Sequence, residues 1–251
     1  MLGFAKRGSR GGENAVEQPV LRGKALLAEH RARLRSIRAI VGVPEQHWRW
    51  LYQALFVAFA ETVQRLPASE AHHHCEAGGL LRHALEVVEL ALKIRRGYVL
   101  PPDKEPEVVI AEQDVWTYAV ASAALLHDVG KALADQRIVL QGSDGLPVGL
   151  WCPWVGPMNT TGGTHYRIEF RRGSEHRLRE AVTPLLVAHI MPKDGLRWLG
   201  DHQDALAAWL GAIGGVALGS SVIADIVKEA NCSSVARDLS GERRQLPSAS
   251  V

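Results

Sequence analysis

The sequence predicts a mainly α-helical fold with a small β-hairpin insertion at about residues 137–170. Apolar residues recur at three- and four-residue steps over long stretches, which is typical of helices that bury one face. Residues 116–126 are almost entirely apolar, which predicts a buried central helix. After residue 136 the pattern changes to short runs of strand-like character separated by Gly, Pro and Trp.

The elements are predicted in the following order. Helices are expected at about 21–41, 44–66, 80–96 and 112–134, and then after Ser174, after Thr183, after Asp201 and at about 220–239. Within the insertion, residues 137–141 and 164–170 are predicted strands, and 146–163 is predicted to be a loop. Thr183 followed by Pro184 is interpreted as the cap and first turn of a new helix.

The chain is predicted to hold one structured domain. Residues 1–20 are expected to form a disordered basic segment, 21–240 the domain, and 241–251 a flexible tail. Neither a membrane-spanning run nor the apolar core of a signal peptide is present, so we expect a cytoplasmic protein without membrane insertion. The three cysteines are far apart and form no CxxC pair, which fits a reducing compartment. The net charge of +2 excludes a polycation, although arginine-rich stretches near 6–38 and 167–179 could face phosphates.

The most specific motif is His127-Asp128-Val-Gly-Lys131 at the end of the apolar stretch. A charged doublet is costly in such a position unless something compensates for its burial. Coordination of a divalent metal does so, because imidazole and carboxylate are both ligands for transition metals. Lys131 follows Asp128 by three residues and therefore shares its helical face, where it could hold a phosphate oxygen.

A second motif places four histidines within residues 72–83, immediately before an amphipathic helix. His83 is predicted to meet the doublet as a ligand, whereas His73 and His74 are predicted catalytic residues that contact phosphate or move a proton. Two more histidines follow, His176 and His189. His189 alone, on an apolar helix, would be more typical of a core histidine than of a ligand.

The order His, His-Asp, His, His resembles the dinuclear branch of the HD metal-dependent phosphohydrolase superfamily. Four strings narrow the resemblance, namely 66–74, 78–87, 116–131 and 234–239. Together they resemble the N-terminal HD-domain relaxases of the MOBH class, TraI-like proteins of integrating conjugative elements, over about residues 20–240. The resemblance implies an HD-domain helical bundle with one or two iron or manganese ions. It also implies cleavage of one DNA strand at an origin of transfer, a role beside the conjugation machinery, and a further C-terminal region that this chain lacks.

The resemblance implies a metal-ligand set that this chain does not match completely. The implied ligands are His83, His127, Asp128, His176, His189 and Asn231. The family pattern has Asp where this chain has Asn231, and an amide lacks the negative charge that holds a divalent cation. We therefore expect either a weakened second metal site or a catalytically impaired, metal-binding scaffold that positions DNA. An HD phosphohydrolase acting on nucleotides or RNA ends is the remaining alternative.

DNA contacts are predicted in and beside the insertion. The candidate residues are the basic and aromatic ones that could face phosphates or stack on single-stranded bases, Arg167, Arg171, Arg172, Trp151 and Trp154. Tyr166 is the tyrosine that merits testing as a covalent nucleophile, and hydrolysis without a covalent bond is equally compatible with the sequence.

Overall fold

Helices form most of the protein, as the sequence predicts, and a small antiparallel sheet is inserted among them. The structure is a computed structural model, and it describes residues 17–71, 73–171, 176–215 and 219–245. Its helices are α1 Gly23–Ala28, α2 Arg31–Val41, α3 Glu45–His47, a π-helical segment Trp48–Gln53, α4 Ala54–Val63, α5 Gly79–Arg95, α6 Pro106–Leu126, α7 Lys131–Ala134, α8 His176–Ile190, α9 Lys193–Gly200, α10 Gln203–Gly214 and α11 Val222–Gln245.

Two long helices, α5 and α6, lie at the centre of the core. α5 packs against α6, α11 and α2, and it is buried almost all round between Leu80 and Leu92. The predicted buried stretch 116–126 forms the second half of α6. α6 begins at Pro106, earlier than predicted, because Pro at the first turn sacrifices no helical hydrogen bond. Within the described residues, no helix has the length and apolar character needed to cross a membrane.

The sheet has two strands more than the predicted hairpin. Its strands are β1 Gln18–Pro19, β2 Gln136–Gln141, β3 Pro147–Trp151 and β4 His165–Phe170, in the order β1-β4-β2-β3. β3 replaces part of the predicted loop 146–163. It is an edge strand joined to β2 through its backbone, and its first four side chains are exposed, so it lacks the alternating apolar pattern of a half-buried strand.

Both ends of the domain extend beyond the predicted boundaries. Residues 17–20 are ordered rather than part of a disordered segment, since β1 pairs with β4 and Val20 donates a backbone hydrogen bond to Thr164. At the other end, α11 continues to Gln245, past the predicted boundary at 240. Residues 1–16 and 246–251 lie outside the described residues.

The region after the sheet forms one helix where two were predicted. Pro184 lies inside α8 instead of starting a new helix. The hydroxyl of Thr183 donates to the carbonyl of Arg179, one turn back, rather than capping a helix N-terminus. The predicted interruption at 183–184 is therefore wrong, and α8 is a single helix from His176 to Ile190.

Candidate metal centre

His127 and Asp128 lie where α6 ends. His127 Nδ1 is 2.8 Å from the carbonyl oxygen of Ala124. A carbonyl only accepts, so the ring proton is on Nδ1 and the lone pair is on Nε2. That nitrogen lies 3.4 Å from Asp128 Oδ2. The end of α6 thus presents an imidazole nitrogen and a carboxylate oxygen to the same space.

His83 approaches the doublet from the N-terminal part of α5. Its side chain is fully buried, and its Nε2 lies 3.5 Å from Asp128 Oδ2. The Gly-Gly pair allows this approach. Gly78 has a φ of +83°, and a Cβ on Gly79 would lie 2.0 Å from the carbonyl oxygen of His74. The glycines therefore let the histidine-rich turn pack directly on the start of α5.

These three residues fit a metal ion. The ligand atoms of His83, His127 and Asp128 all lie within 4.8 Å of one another. Both Nε2 atoms are buried, and neither has a hydrogen-bond partner among the residues that the structure describes. Buried nitrogens without partners are costly, and a cation between them would satisfy both.

Asp128 and His83 have the charge states that metal coordination requires. Burial alone would raise the pKa of Asp128, but His127, Lys131 and His83 hold it well below its usual value. Burial also lowers the pKa of His83, against the opposing effect of Asp128. An ionised carboxylate beside a neutral imidazole is ready for coordination. Lys131 Nζ donates to the same Asp128 oxygen over 2.6 Å.

Of the remaining predicted ligands, His189 and Asn231 are not part of this cluster, and the position of His176 is not described. The side chain of His189 is exposed on α8, and the side chain of His176 lies outside the described part of the chain. Asn231 is half-buried on α11, three residues before Ser234 and on the same helical face. The six-ligand set thus stays a prediction, with three of its members together.

A basic pocket of about 300 Å³ adjoins Lys131. His73, Arg171 and Arg179 also line it, together with the acidic Glu70 and Asp135 and with Ala68, Ser69, Ala71 and Phe170. Arg179 pairs with Asp135 over 2.6 Å, and Arg171 donates to the carbonyl of Gln136. Three cationic and two anionic side chains therefore face this space, with Arg179 paired to Asp135 and Lys131 paired to Asp128.

The two predicted catalytic histidines lie in different surroundings. His73 is half-buried and borders the pocket. His74 is buried, with a backbone φ of +51°, and its Nε2 lies 3.4 Å from the Ser234 hydroxyl. Burial, with contributions from His83 and Arg82, lowers the pKa of His74 to about 3. Only His73 is therefore placed to meet a substrate.

Some of the predicted DNA-contact residues are exposed and others are buried. Arg171 is exposed at the pocket, and Arg167 is half-buried on β4. Trp151 is buried and its Nε1 donates to the carbonyl of Gly156, whereas Trp154 is 44% exposed. Arg172 lies outside the described residues. Of the two tryptophans, Trp154 has a ring available for stacking.

The tyrosine hydroxyls are poorly placed for a nucleophilic role. All four tyrosines are within the described residues, and Tyr52, Tyr118 and Tyr166 are fully buried. The Tyr166 hydroxyl accepts the backbone N–H of Arg65, and burial raises the pKa of this phenol. Tyr98 is exposed but lies beyond the end of α5, roughly 18 Å of helix away from the level of His83.

No role was predicted for two residues of α11 that touch the histidines. Ser234 Oγ lies 3.1 Å from His83 Nδ1, and Asp238 accepts the backbone N–H of His74 over 2.8 Å. The sequence offered one indication that they act together, namely their spacing, since residues four apart on a helix share a face.

One family model matches nearly the full length of the chain. The model is TraI_2, described as "Putative helicase", and it matches residues 18–250. No curated protein matches the chain.

Proposed function

Because the chain belongs to the TraI_2 family, we propose that it is a metal-dependent phosphodiesterase, the relaxase domain that cleaves one DNA strand at an origin of transfer to start conjugation. The observation that carries the proposal is the convergence of His83, His127 and Asp128 within 4.8 Å. The basic pocket beside Lys131 supplies the second requirement, a place for a phosphodiester backbone.

The ligand types favour a divalent transition metal. Two imidazoles and one carboxylate suit iron or manganese and leave coordination positions open. When bound there, the cation would supply a Lewis acid and lower the pKa of a bound water. A second cation would need ligands beyond these three, and His176, His189 and Asn231 are the proposed sources.

Three side chains of the chain itself would handle the substrate. Lys131 neutralises Asp128 over 2.6 Å, and a cation on that carboxylate would let the ammonium turn to a phosphoryl oxygen. His73, at the pocket wall, is the proposed proton carrier for the leaving oxygen. Arg171 would bind a neighbouring phosphate of the strand.

We favour hydrolysis over a covalent tyrosine intermediate. Tyr166, the tyrosine proposed for testing, is fully buried, and a phenol with a raised pKa is a weaker nucleophile at neutral pH. A water molecule is a nucleophile that a cation held by the cluster would activate, without any protein nucleophile. A Tyr166→Phe variant is therefore expected to retain cleavage.

The family's description names a helicase, but this chain lacks the phosphate-binding loop of P-loop helicases. Helicases of the P-loop type hold phosphates with a loop that ends in Gly-Lys-Ser/Thr. The two Gly-Lys pairs of this chain, Gly23-Lys24 and Gly130-Lys131, are each followed by Ala. Lys131 is moreover bonded to Asp128, which links it to the metal centre instead.

The first experiment measures metal and cleavage together. Iron and manganese are quantified in the protein purified without chelator, and nicking of a supercoiled plasmid with its origin of transfer is compared with nicking of an unrelated plasmid and hydrolysis of free nucleotides. We expect about one or two metal equivalents, and loss of both metal and nicking in His127→Ala. His47→Ala, which removes an exposed histidine, is the matched control.

Each alternative has its own outcome in that experiment. Hydrolysis of free nucleotides in preference to plasmid would replace the relaxase proposal with a nucleotide phosphohydrolase. Bound metal without nicking, with nicking restored by Asn231→Asp, would identify an impaired enzyme that positions DNA. Absence of any transition metal after anaerobic reconstitution would overturn the proposal.

A further inference from the structure

The buried surroundings of His83 contain a chain of polar groups that the proposed chemistry does not use. His83 Nδ1 lies 3.1 Å from Ser234 Oγ, and Ser234 Oγ lies 3.4 Å from His74 Nε2. His74 Nδ1 in turn lies 3.4 Å from Asp238 Oδ1. The three side chains behind His83 come from two separate segments, the histidine-rich turn and α11.

The chemistry of each group determines which atom donates and which accepts in this series of polar groups. If His83 binds a cation through Nε2, its proton must be on Nδ1, where it can only be donated to Ser234. The serine hydroxyl then has one proton left to donate, and His74 Nε2 is the acceptor in reach. The proton of His74 is then on Nδ1, which lies near the carboxylate of Asp238 without hydrogen-bond geometry, so Asp238 holds His74 through its backbone N–H and its charge.

Asp238 is itself held in place from two sides. Its Oδ2 accepts the backbone N–H of His74 over 2.8 Å, and its Oδ1 accepts Arg82 Nη2 over 2.7 Å. Arg82 is the residue before His83 on α5, and its Nε also donates to Glu76. The Asp238 carboxylate of α11 therefore contacts both the histidine-rich turn and the start of α5.

The backbone of His74 supports a functional reason for this arrangement. A φ of +51° is unfavourable for a residue with a side chain, and such strain persists where the surroundings enforce it. In His74 it places an imidazole with 1% exposure against Ser234 instead of in solvent.

We propose that Ser234, His74 and Asp238 form a positioning relay that holds His83 as the Nδ1–H tautomer and thereby presents Nε2 to the metal. The proposal rests on the proposed function, since it assigns these residues to a metal ligand. None of the three touches substrate. Their expected effect is on metal affinity and ring orientation, with groups of this kind typically contributing about 10- to 100-fold in affinity.

The test measures Mn²⁺ affinity by titration of the full chain, with free Mn²⁺ followed by electron paramagnetic resonance. Ser234→Ala and Asp238→Asn are each expected to weaken Mn²⁺ binding by about 10- to 100-fold. Ser234→Thr keeps the hydroxyl and is expected to restore most of the affinity. Ser233→Ala, the neighbouring serine on α11, is the control and is expected to bind as the wild type does.

A second measurement reads the tautomer without any metal. In ¹⁵N-labelled, metal-free protein, long-range ¹H–¹⁵N spectra distinguish Nδ1–H from Nε2–H imidazole. We expect His83 to be Nδ1–H in the wild type and a mixture of tautomers in Ser234→Ala, with unfolding by urea confirming that the variant folds. Wild-type affinity and an unchanged tautomer in Ser234→Ala would overturn the relay. Failure of the wild type to bind Mn²⁺ would overturn the metal centre instead, while the tautomer still tests the relay.

Discussion

Lys131 combines two roles that one substitution can separate. Its buried ammonium neutralises Asp128, and its position at the pocket wall suits a phosphate. We predict that Lys131→Met retains metal, because the ion itself then neutralises the carboxylate, but loses about 100-fold in nicking rate, the typical effect of removing one donor to a developing charge.

The measurement is metal content and single-turnover nicking on the same preparation. Lys93→Met is the matched control, since Lys93 is exposed on α5 and its ammonium pairs with Glu89. Unchanged nicking in Lys131→Met would exclude the lysine from the reaction.

Gly130 is a second residue whose role can be tested, here through packing. A Cβ at this position would lie 2.4 Å from the carbonyl oxygen of Arg179 and 2.7 Å from the Thr183 hydroxyl. Because the nearest atom belongs to the backbone of α8, we predict that Gly130→Ala lowers the free energy of unfolding by about 1–3 kcal/mol. Gly200→Ala, with open space around its Cβ, is expected to change stability by less than about 1 kcal/mol in either direction.

Urea unfolding of the two alanine variants measures whether the loss of stability comes from the clash with α8 or from replacing a glycine as such. Equal stability in both variants would mean that α7 moves away from α8 at little cost, contrary to the prediction.

At the scale of elements, α2 is fastened to α5 by the carboxylate of Glu89. The Glu89 carboxylate accepts hydrogen bonds from Ser36 and Arg33 of α2 and from Lys93 of α5. Burial alone would raise the pKa of Glu89, but these donors lower it below the ordinary 4.5. We predict that Glu89→Gln lowers the free energy of unfolding at pH 7 by about 1.5–3 kcal/mol, the usual range for hydrogen bonds to a charged group.

The pH dependence of this effect follows from the direction of the shift. A folded-state pKa below the unfolded value stabilises the protein fully above pH 4.5, and the contribution is lost as the pH falls through the folded value. The difference between wild type and Glu89→Gln should therefore shrink below pH 4.5. Glu45→Gln, which removes the two exposed ion pairs with Arg38 and Arg49, is expected to cost less than about 1 kcal/mol. A difference that grows on acidification would contradict the assignment.

The sequence predicted the helices well, because a helix depends on local spacing, and for the same reason it predicted that His127, Asp128 and Lys131 lie close together. His127, Asp128 and Lys131 meet because they lie within one turn, and the predicted buried stretch is the second half of α6. β1 was missed because it has two residues and pairs with a strand more than 140 residues away. The exposure of the His189 side chain could not be predicted from the sequence either, because a helix turns about 100° per residue and a small change in phase moves a side chain from the core to the surface.

At the scale of the molecule, the metal centre joins segments that are distant in the chain. His83 and His127 are 44 residues apart, on α5 and at the end of α6, so the unfolded chain offers no comparable site. We predict that Mn²⁺ at 100 times its Kd stabilises the fold by about 2.7 kcal/mol. For a chain of this size that corresponds to a rise in Tm of about 5–10 °C.

Thermal unfolding with and without Mn²⁺ measures this effect, and His127→Ala should abolish the shift. The same rise in the variant would mean that Mn²⁺ binds elsewhere in the chain.

The open edge of the sheet affects how the protein behaves in concentrated solution. β3 has no neighbour on its outer side within the described residues, and Val148 and Leu150 on it are more than half exposed. A strand with free backbone groups and apolar side chains is a template for another strand, so we predict that copies of this chain associate edge to edge as their concentration rises. A lysine at Val148 would oppose that association by charge repulsion, and it would extend the concentration range in which the protein can be handled.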